Sequence, residues 1–245
     1  MIGVIIATYN CEKSILKTLD SLLNQNFTEY EVVFVDGMSN DDTLEIINSY
    51  KNKFERNGIK VTIISENDKG IYDAMNKGIL KIKSDYLFFL NSNDVLLNSD
   101  VFINVNKNLG EDIDILYGNI FTNKKIRQNY NLNKQILFKG ICHQSAFIKK
   151  DLFNQFGLYD ISFKISADYD FFVKAYANKK RFKYIDLDII RYDMTGYSSQ
   201  SENMRRGYNE YRSIIKKNLS GFNKFKGYLR YLYLISKYKL FLERK

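Results

Sequence analysis

Residues 86–94 read Tyr86-Leu87-Phe88-Phe89-Leu90-Asn91-Ser92-Asn93-Asp94. Apolar residues fill the first part of this stretch, and four small polar residues that end in a carboxylate follow directly. A short apolar run of this kind predicts a fully buried β-strand. Asp94 then lies beyond the carboxyl end of the strand, where open α/β sheets bind ligands. An aspartate in such a position is more often a turn residue or a helix cap, so its role depends on the rest of the chain.

The sequence before this strand alternates short apolar runs with segments of helical periodicity. Further buried strands are predicted at residues 3–8, 31–35 and 61–65, and the helix before residue 86 is predicted at Ile71–Lys81. Strands separated by helices predict an α/β fold with a mostly parallel central sheet flanked by helices. Because the carboxyl ends of parallel strands share one edge, Asp36, Asp68 and Asp94 are expected to gather there.

The second half of the chain is less regular. Strands are predicted at residues 113–121, 126–130 and 142–148, and helices at residues 149–156 and from Asp168 onward. The sequence contains no linker, low-complexity segment or internal repeat. It is therefore expected to form one unit followed by a helical tail.

The composition bounds the class of protein. A chain of 245 residues, 45% of them hydrophobic, can bury a substantial core as one large domain or two small ones. The net charge of +9 lies at the end of the chain, because residues 201–245 hold 12 of the 37 Lys and Arg but only 3 of the 28 Asp and Glu. This basic end indicates an anionic partner such as a membrane surface or nucleic acid.

Cysteine usage and hydropathy exclude several other classes. Cys11 and Cys142 suggest no disulfide framework, and with one histidine they argue for a reducing compartment and against a Cys/His zinc site. The short apolar N-terminus is typical of a first strand and not of a signal peptide. No stretch approaches the roughly 18 apolar residues of a membrane-spanning helix.

The turn after the first strand, Ala7-Thr8-Tyr9-Asn10-Cys11, contains no glycine. A Rossmann dinucleotide site needs a glycine-rich turn at this point, and a P-loop needs Gly-Lys-Ser/Thr. A dehydrogenase is therefore not favoured, and a P-loop enzyme is excluded. A nucleotidyltransferase stays as a weaker alternative, since the glycine-rich basic loop it uses after the first strand is missing.

Five stretches, in order along residues 1–200, resemble the motifs of family 2 glycosyltransferases with the GT-A type fold. They are residues 5–10, 35–43, 65–78, 91–94 and 167–170. The resemblance implies an inverting enzyme that moves a sugar from a nucleoside diphosphate sugar, with UDP expected. The acceptor would be a hydroxyl of a glycan or lipid-linked oligosaccharide in surface polysaccharide synthesis. The implied domains are a GT-A catalytic domain at 1–200, its nucleotide-binding half at 1–95, its acceptor-side half at 96–200, and the tail at 201–245.

The resemblance assigns nucleotide-sugar contacts mainly to the first half of the chain. Asp36 would bind the base, usually uracil. Asp73 and Asn76, one helical turn apart, would point together into the site. The ordinary alternative for Asp36 is a turn residue, and for Asp73 and Asn76 it is a solvent-facing position on the helix. The implied contacts are Ala7, Thr8, Tyr9, Asp36, Asp68, Lys69, Asp73, Asn76 and Asn93.

Residues 91–94 resemble the metal-binding motif of the family, with one departure. The family usually has two adjacent acids where this chain has Asn93 and Asp94, so Asp94 is the implied ligand of Mn²⁺ or Mg²⁺. Such ions need one or two carboxylates when substrate phosphates and water complete the shell. Asn93 also keeps open a catalytically silent homologue that binds a nucleotide-sugar or a partner.

Asp168, in Ala167-Asp168-Tyr169-Asp170, matches the general base of the family, which takes the proton of the acceptor hydroxyl. The ordinary alternative for this residue is a helix N-cap. His143 is the one histidine in the sequence, and a structural role is the more common case for a single histidine. The resemblance nonetheless makes His143, Arg191 and Ser198 candidates for acceptor or diphosphate contacts.

Aromatic and basic residues are interspersed through residues 220–245. This composition suits the headgroup region of an anionic membrane, where each basic residue near the surface adds about 1 kcal/mol to the free energy of membrane binding. The tail therefore predicts a cytoplasmic protein, peripheral on the inner face of the bacterial cell membrane. The alternative is a helix packed on the catalytic domain or on the partner of a homodimer. Nucleic acid is not expected, because no recognised motif accompanies the charge.

Overall fold

The structure is a computed structural model that describes residues 1–122, 125–127, 140–192 and 201–242. Its strands are Ile2–Thr8 (β1), Tyr30–Asp36 (β2), Lys60–Ser65 (β3), Tyr86–Phe89 (β4), Val95–Leu96 (β5), Ile115–Thr122 (β6), Lys125–Arg127 (β7), Ala146–Lys149 (β8) and Phe182–Arg191 (β9). Its helices are Glu12–Leu23 (α1), Thr43–Arg56 (α2), Ile71–Lys81 (α3), Val101–Asn106 (α4), Asp151–Phe156 (α5), Ala167–Ala177 (α6), Ser201–Asn218 (α7) and Gly221–Leu242 (α8).

One sheet runs through the described residues, in the strand order β3-β2-β1-β4-β8-β6-β9-β5, with β7 paired to β6. The first four strands are parallel, since β1 pairs with β2 and β4, and β2 pairs with β3. A helix joins each of these strands to the next, as parallel pairing requires. β8 runs antiparallel to β4 and β6, whereas β9 runs parallel to β6. The predicted α/β fold is confirmed, with parallel pairing in the first half and mixed pairing in the second.

The central strands are buried on both faces, which explains their continuous apolar runs. Alternate side chains of a strand point to opposite faces, so Leu87 and Phe89 join one core cluster while Phe88 joins the other. Phe88 also stacks on Phe147 of β8, with ring centroids 4.6 Å apart. Strand β4 is thereby anchored from both sides of the sheet.

The polar residues after β4 form a turn. The Asp94 N–H donates to the Asn91 carbonyl at 3.0 Å. The Thr18 hydroxyl of α1 donates to the Asp94 carbonyl at 2.8 Å. Asp94 is therefore held at the predicted edge of the sheet, one turn beyond the end of the strand.

The second half departs from the prediction in several places. Residues 142–148, predicted as one strand, form a 3₁₀ turn at His143–Ser145 and then β8. The Ser145 N–H and hydroxyl both donate to the Cys142 carbonyl at 3.0 Å, and such local bonding competes with strand pairing. The predicted strand at 126–130 overlaps β7, and residues 128–130 lie outside the described residues. β5, α4 and β9 were not predicted.

The C-terminal helices pack onto the rest of the core. Ile214 and Ile215 of α7 are buried. A Cβ added at Gly227 of α8 would lie 3.0 Å from Ile215, so this glycine allows the two helices to approach closely. α7 also contacts α6. The predicted domain boundary at residue 200 stays a prediction, and α7 packs across it. Within the described ranges, no helix combines the length and apolarity needed to cross a bilayer.

Candidate active site

An open cavity of about 1060 Å³ lies at the carboxyl edge of the parallel strands. Its walls come from both halves of the chain and from α7. The lining includes residues 7–11 at the end of β1 and in the turn after it, 68–72 at the start of α3, 91–94 after β4, and 140–144 before β8. The far wall consists of Lys164, Ile165, Ser166, Asp168, Tyr169, Met204, Arg206, Gly207, Tyr208 and Tyr211. The sheet edge where the predicted strand ends meet therefore lines a cavity.

Asp36 lies just behind this cavity and is completely buried. Its carboxylate accepts hydrogen bonds from the hydroxyls of Thr8 (3.1 Å), Ser39 (2.5 Å) and Ser65 (3.0 Å), and from the Ser39 N–H (2.9 Å). These bonds tie together the ends of β1, β2 and β3. Thr8 itself lines the cavity, whereas Asp36 does not. The base contact predicted for Asp36 stays a prediction, and it requires one of these donors to give way.

Most of the other residues predicted on the nucleotide side line the cavity. Ala7 and Thr8 are the last residues of β1, and Tyr9, which follows them, is 62% exposed. Asp68 and Lys69 lie in the loop before α3. A Cβ at Gly37 would lie 2.5 Å from an Asp68 carboxylate oxygen, so the glycine after Asp36 lets Asp68 approach the end of β2.

Asp73 and Asn76 do not point into the cavity, which corrects the prediction from their helical spacing. The Asn76 amide donates to the Tyr159 carbonyl and accepts from the Tyr159 N–H, both at 2.9 Å. Asp73 accepts from the Lys69 N–H at 3.0 Å. The residues of α3 that line the cavity are Ile71, Tyr72, Ala74 and Met75. Asp73 and Asn76 therefore support the loop and the neighbouring chain from the other face of the helix.

The candidate metal position is the turn at residues 91–94. Asp94 is buried, and Asn93 is exposed at the cavity. The buried Oδ1 of Asn91 has no hydrogen-bond partner among the described residues, and it is an oxygen of the type that hard cations bind. Across the described ranges, no group of three or more His, Cys, Asp or Glu is placed to hold a metal. The residues present fit a site with one carboxylate that substrate phosphates complete.

Asp168 is the second residue of α6, and both of its carboxylate oxygens are engaged. Oδ1 accepts a hydrogen bond from the Tyr72 hydroxyl at 2.8 Å, and Oδ2 lies 2.9 Å from His143 Nδ1. An ionised carboxylate only accepts hydrogen bonds, so Nδ1 carries the hydrogen. The N-cap of α6 is Ser166, so Asp168 is not the cap of this helix.

Two opposing effects act on the pKa of Asp168. Burial raises the pKa of Asp168. The hydrogen bond and charge of His143 and the hydroxyl of Tyr72 lower it by more, so the net pKa lies below its usual range. Burial and the charge of Asp168 raise the pKa of Tyr72 well above its usual value, so Tyr72 remains a donor. The carboxylate is therefore ionised and able to take a proton at neutral pH.

Tyr72 can serve Asp168 in both protonation states. Its hydroxyl lies 2.8 Å from Asp168 Oδ1 and also 2.8 Å from the Ile165 carbonyl. One hydroxyl hydrogen satisfies one of these acceptors at a time. When Asp168 is ionised, Tyr72 donates to it, and when Asp168 holds a proton, Tyr72 can donate to Ile165 and accept from Asp168.

The remaining predicted contacts fall in different places. His143 lines the cavity, and its buried Nε2 has no partner among the described residues. Arg191 ends β9, is exposed, and does not line the cavity. Ser198 lies outside the described residues. Tyr72 and the residues of α7 were missed. Tyr72 lies inside the motif at residues 65–78, whereas the basic composition of α7 gave no signal of a site.

Comparisons with known proteins place this geometry in a family. Residues 3–175 match the family described as Glycosyl transferase family 2. A PGL/p-HBAD biosynthesis glycosyltransferase of Mycobacterium tuberculosis is 32% identical over 183 residues, which cover 73% of this chain and 70% of the relative.

Solved structures show the same fold. TarS 1–349 of S. aureus in complex with UDP-GlcNAc superposes with a TM-score of 0.72 at 23% identity, over 92% of this chain and 69% of that one. A longer TarS chain is matched over 41% of its length. The mannosyltransferase PcManGT from Pyrobaculum calidifontis, in complex with GDP-Man and Mn²⁺, superposes with a TM-score of 0.73 at 18% identity, over 95% of this chain and 69% of that one.

These likenesses establish a GT-A type fold and a transferase enzyme. The family match covers most of the chain and includes the elements that carry Asp94 and Asp168. The chain belongs to glycosyl transferase family 2.

Proposed function

We propose that this glycosyltransferase moves a sugar, with inversion, from a UDP-sugar to a hydroxyl of a glycan or lipid-linked oligosaccharide in surface polysaccharide synthesis. The observation that carries the proposal is the Asp168 carboxylate, held by Tyr72 and His143 in the wall of a cavity that is also lined by the ends of the parallel strands. The structures of TarS with UDP and with UDP-GlcNAc support the choice of nucleotide.

The donor binds along the sheet edge in this proposal. Thr8 and Tyr9 face the nucleoside, and Asp68 and Lys69 contact the ribose, diphosphate or sugar. Asp94 and the Asn91 Oδ1 of the same turn would hold a divalent ion, and PcManGT with GDP-Man and Mn²⁺ supports Mn²⁺ as the choice. When bound, Mn²⁺ or Mg²⁺ supplies positive charge that offsets the charge of the departing nucleoside diphosphate.

The acceptor hydroxyl attacks the anomeric carbon directly. The new bond joins that carbon to the acceptor oxygen, and the bond to the diphosphate oxygen breaks, with its electron pair leaving on UDP. The hydroxyl proton passes to Asp168. Tyr72 and His143 each occupy one lone-pair direction of the carboxylate, and each oxygen has a second direction that can receive the proton. Attack opposite the leaving group inverts the anomeric configuration.

Nucleotide preference tests this proposal. UDP with Mn²⁺ is expected to raise the Tm, since ligand at about 100 times Kd adds about 2.7 kcal/mol, or about 5–10 °C for a domain of this size. ADP with Mn²⁺ should give a clearly smaller shift, and a preference for adenine nucleotides would contradict the choice of nucleotide. UDP release from a panel of UDP-sugars with cell-derived acceptors then separates a transferase from a silent homologue. Pyrophosphate release from UTP and a sugar phosphate would instead favour a nucleotidyltransferase.

The proposed location is the cytoplasmic face of the cell membrane, reached through α8. Large exposed side chains recur along one face of this helix at helical spacing: Phe222, Phe225, Leu229, Leu232 and Tyr233. Lys226 lies over the Phe222 ring at 4.5 Å from its centroid, so positive charge borders the apolar stripe. Such a face suits the interface of an anionic bilayer.

Vesicle flotation tests this location. Replacing Phe225 and Leu232 by Ser is expected to abolish flotation with phosphatidylglycerol vesicles, because both side chains are more than half exposed on the stripe. The control variant replaces Leu16 and Leu80, which are exposed on other helices, and should float like the native protein. Failure of the native protein to float, together with a dimer in solution that the Phe225 and Leu232 replacements dissociate, would identify the stripe as a homodimer interface instead.

A further inference from the structure

Glu210 of α7 makes an unusual set of contacts with the segment that carries Asp168. Three consecutive backbone N–H groups donate to its carboxylate, from Lys164 (2.8 Å), Ile165 (3.0 Å) and Ser166 (2.9 Å). Glu210 is only 9% exposed. A buried carboxylate with three donors fixes the direction of the backbone at this point.

These N–H groups belong to the residues immediately before α6. The last of them, Ser166, is the N-cap of α6, and negative charge near the N-terminus of a helix is favourable. The Ser166 carbonyl accepts from the Asp170 N–H at 3.0 Å, so the backbone that Glu210 holds continues directly into the helix. Asp168 lies two residues after the last donor.

Other contacts of α7 hold the same segment on both sides of Asp168. A Cβ at Gly207 would lie 3.2 Å from the Ile165 side chain, so the helix lies close against the loop. Tyr211 stacks on Tyr169 with centroids 4.1 Å apart. The Asn218 amide donates to Asp170 at 2.7 Å. Asp168 is thus flanked by residues that α7 fixes, although α7 lies beyond the matched family region at residues 3–175.

We infer that Glu210 is a positioning residue for sugar transfer: it holds the start of α6 so that the Asp168 carboxylate meets the acceptor hydroxyl. This inference rests on the proposed function, in which Asp168 accepts the proton. Among the described residues, Glu210 bonds to these three N–H groups and pairs with Arg206 at 3.4 Å, and none of these is a residue proposed to contact the donor. Its loss should therefore slow the transfer step and leave donor binding intact.

Glu210→Gln tests this, because it keeps the size of the side chain but replaces one acceptor oxygen by an NH₂ group that faces N–H donors. A misplacement of about 1 Å costs up to about 10²-fold, so kcat is expected to fall about 10- to 100-fold. The donor KM and the Kd of UDP should stay unchanged. Glu210→Asp keeps the charge with a shorter reach and should restore part of the rate.

The control separates positioning from a loss of stability. Ile214→Val removes a buried methyl group from the same helix, so it should lower the Tm without lowering kcat. Gly207→Ala leaves Glu210 intact but places a Cβ 3.2 Å from the Ile165 side chain, so the segment beside α7 must shift by a few tenths of an ångström, and kcat should fall by less than in Glu210→Gln.

Two results would overturn the inference. One is native kcat in folded Glu210→Gln, or in folded Gly207→Ala if the first variant does not fold. The other is a fall in kcat for Ile214→Val as large as that for Glu210→Gln, which would make Glu210 purely structural. Either result requires an active native protein. Absence of UDP release by the native protein would instead count against the proposed function.

Discussion

Asp168→Asn is expected to lower kcat for sugar transfer by about 10²–10⁴-fold, the usual contribution of a general base. The amide keeps the size of the carboxylate and the hydrogen bond from Tyr72, but it cannot take the acceptor proton. The Kd of UDP should not change, because Asp168 is not among the residues proposed to contact the donor. Rates of UDP release at saturating donor and acceptor measure the effect.

Asp151→Asn is the matched control, because it makes the same chemical change at an exposed position of α5, away from the cavity. It should keep the native kcat. An Asp168→Asn enzyme with native kcat would show that another group takes the proton. Weakened UDP binding would show that Asp168 serves the donor instead.

The pH dependence of the native enzyme follows from the environment of Asp168. Burial raises its pKa, but His143 and Tyr72 outweigh burial and lower the pKa below the usual range. The carboxylate therefore stays ionised as the pH falls, and kcat/KM should be lost only below the ordinary range of an aspartate. The same sign holds for stability, which this group supports above its unfolded pKa and loses as the pH falls through its folded pKa. An acid limb near neutral pH would contradict the assignment.

The parts of the fold that the sequence predicts are those with local signals. Buried parallel strands give apolar runs such as Leu87 to Leu90, and α3 has the predicted bounds. β9 gives no such run, because Asp186 and Asp188 lie within it. Both carboxylates accept from the Asn119 amide of β6, at 3.0 and 3.1 Å. The hydrogen-bond donor for these two aspartates lies on the neighbouring strand and far away in sequence. The local sequence of β9 therefore does not predict a strand.

The same dependence on local signals explains which site residues could be predicted from the sequence. The position of Asp94 and Asp168 at the cavity could be predicted because each lies in a motif, and Asp94 also follows a strand end. The face of α3 that lines the cavity could not be predicted. Asp73 and Tyr72 are neighbours in sequence, and only packing decides which one faces the cavity. Glu210 could not be predicted either, because its partners lie more than 40 residues away and are backbone groups.

Asp94→Ala is expected to lower kcat by about 10²-fold or more, because charge stabilisation by a metal is worth several kcal/mol and each 1.36 kcal/mol is about tenfold. Asp94 is the buried carboxylate of the turn at residues 91–94, so its removal leaves only neutral oxygens there. The extra rise in Tm that Mn²⁺ gives in the presence of UDP should disappear. UDP alone should still bind, which separates metal loss from misfolding.

Asn93→Asp is the complementary change. Asn93 is exposed at the cavity, so a second carboxylate there is solvated and costs little to introduce. Added negative charge beside Asp94 should tighten Mn²⁺ binding, measured by calorimetry with and without UDP. The native protein should bind Mn²⁺ weakly without UDP, because one carboxylate needs the diphosphate oxygens to complete the shell. If Asn93→Asp weakens Mn²⁺ binding, or if Asp94→Ala leaves it unchanged, the metal lies elsewhere and the departure at Asn93 has no bearing on it.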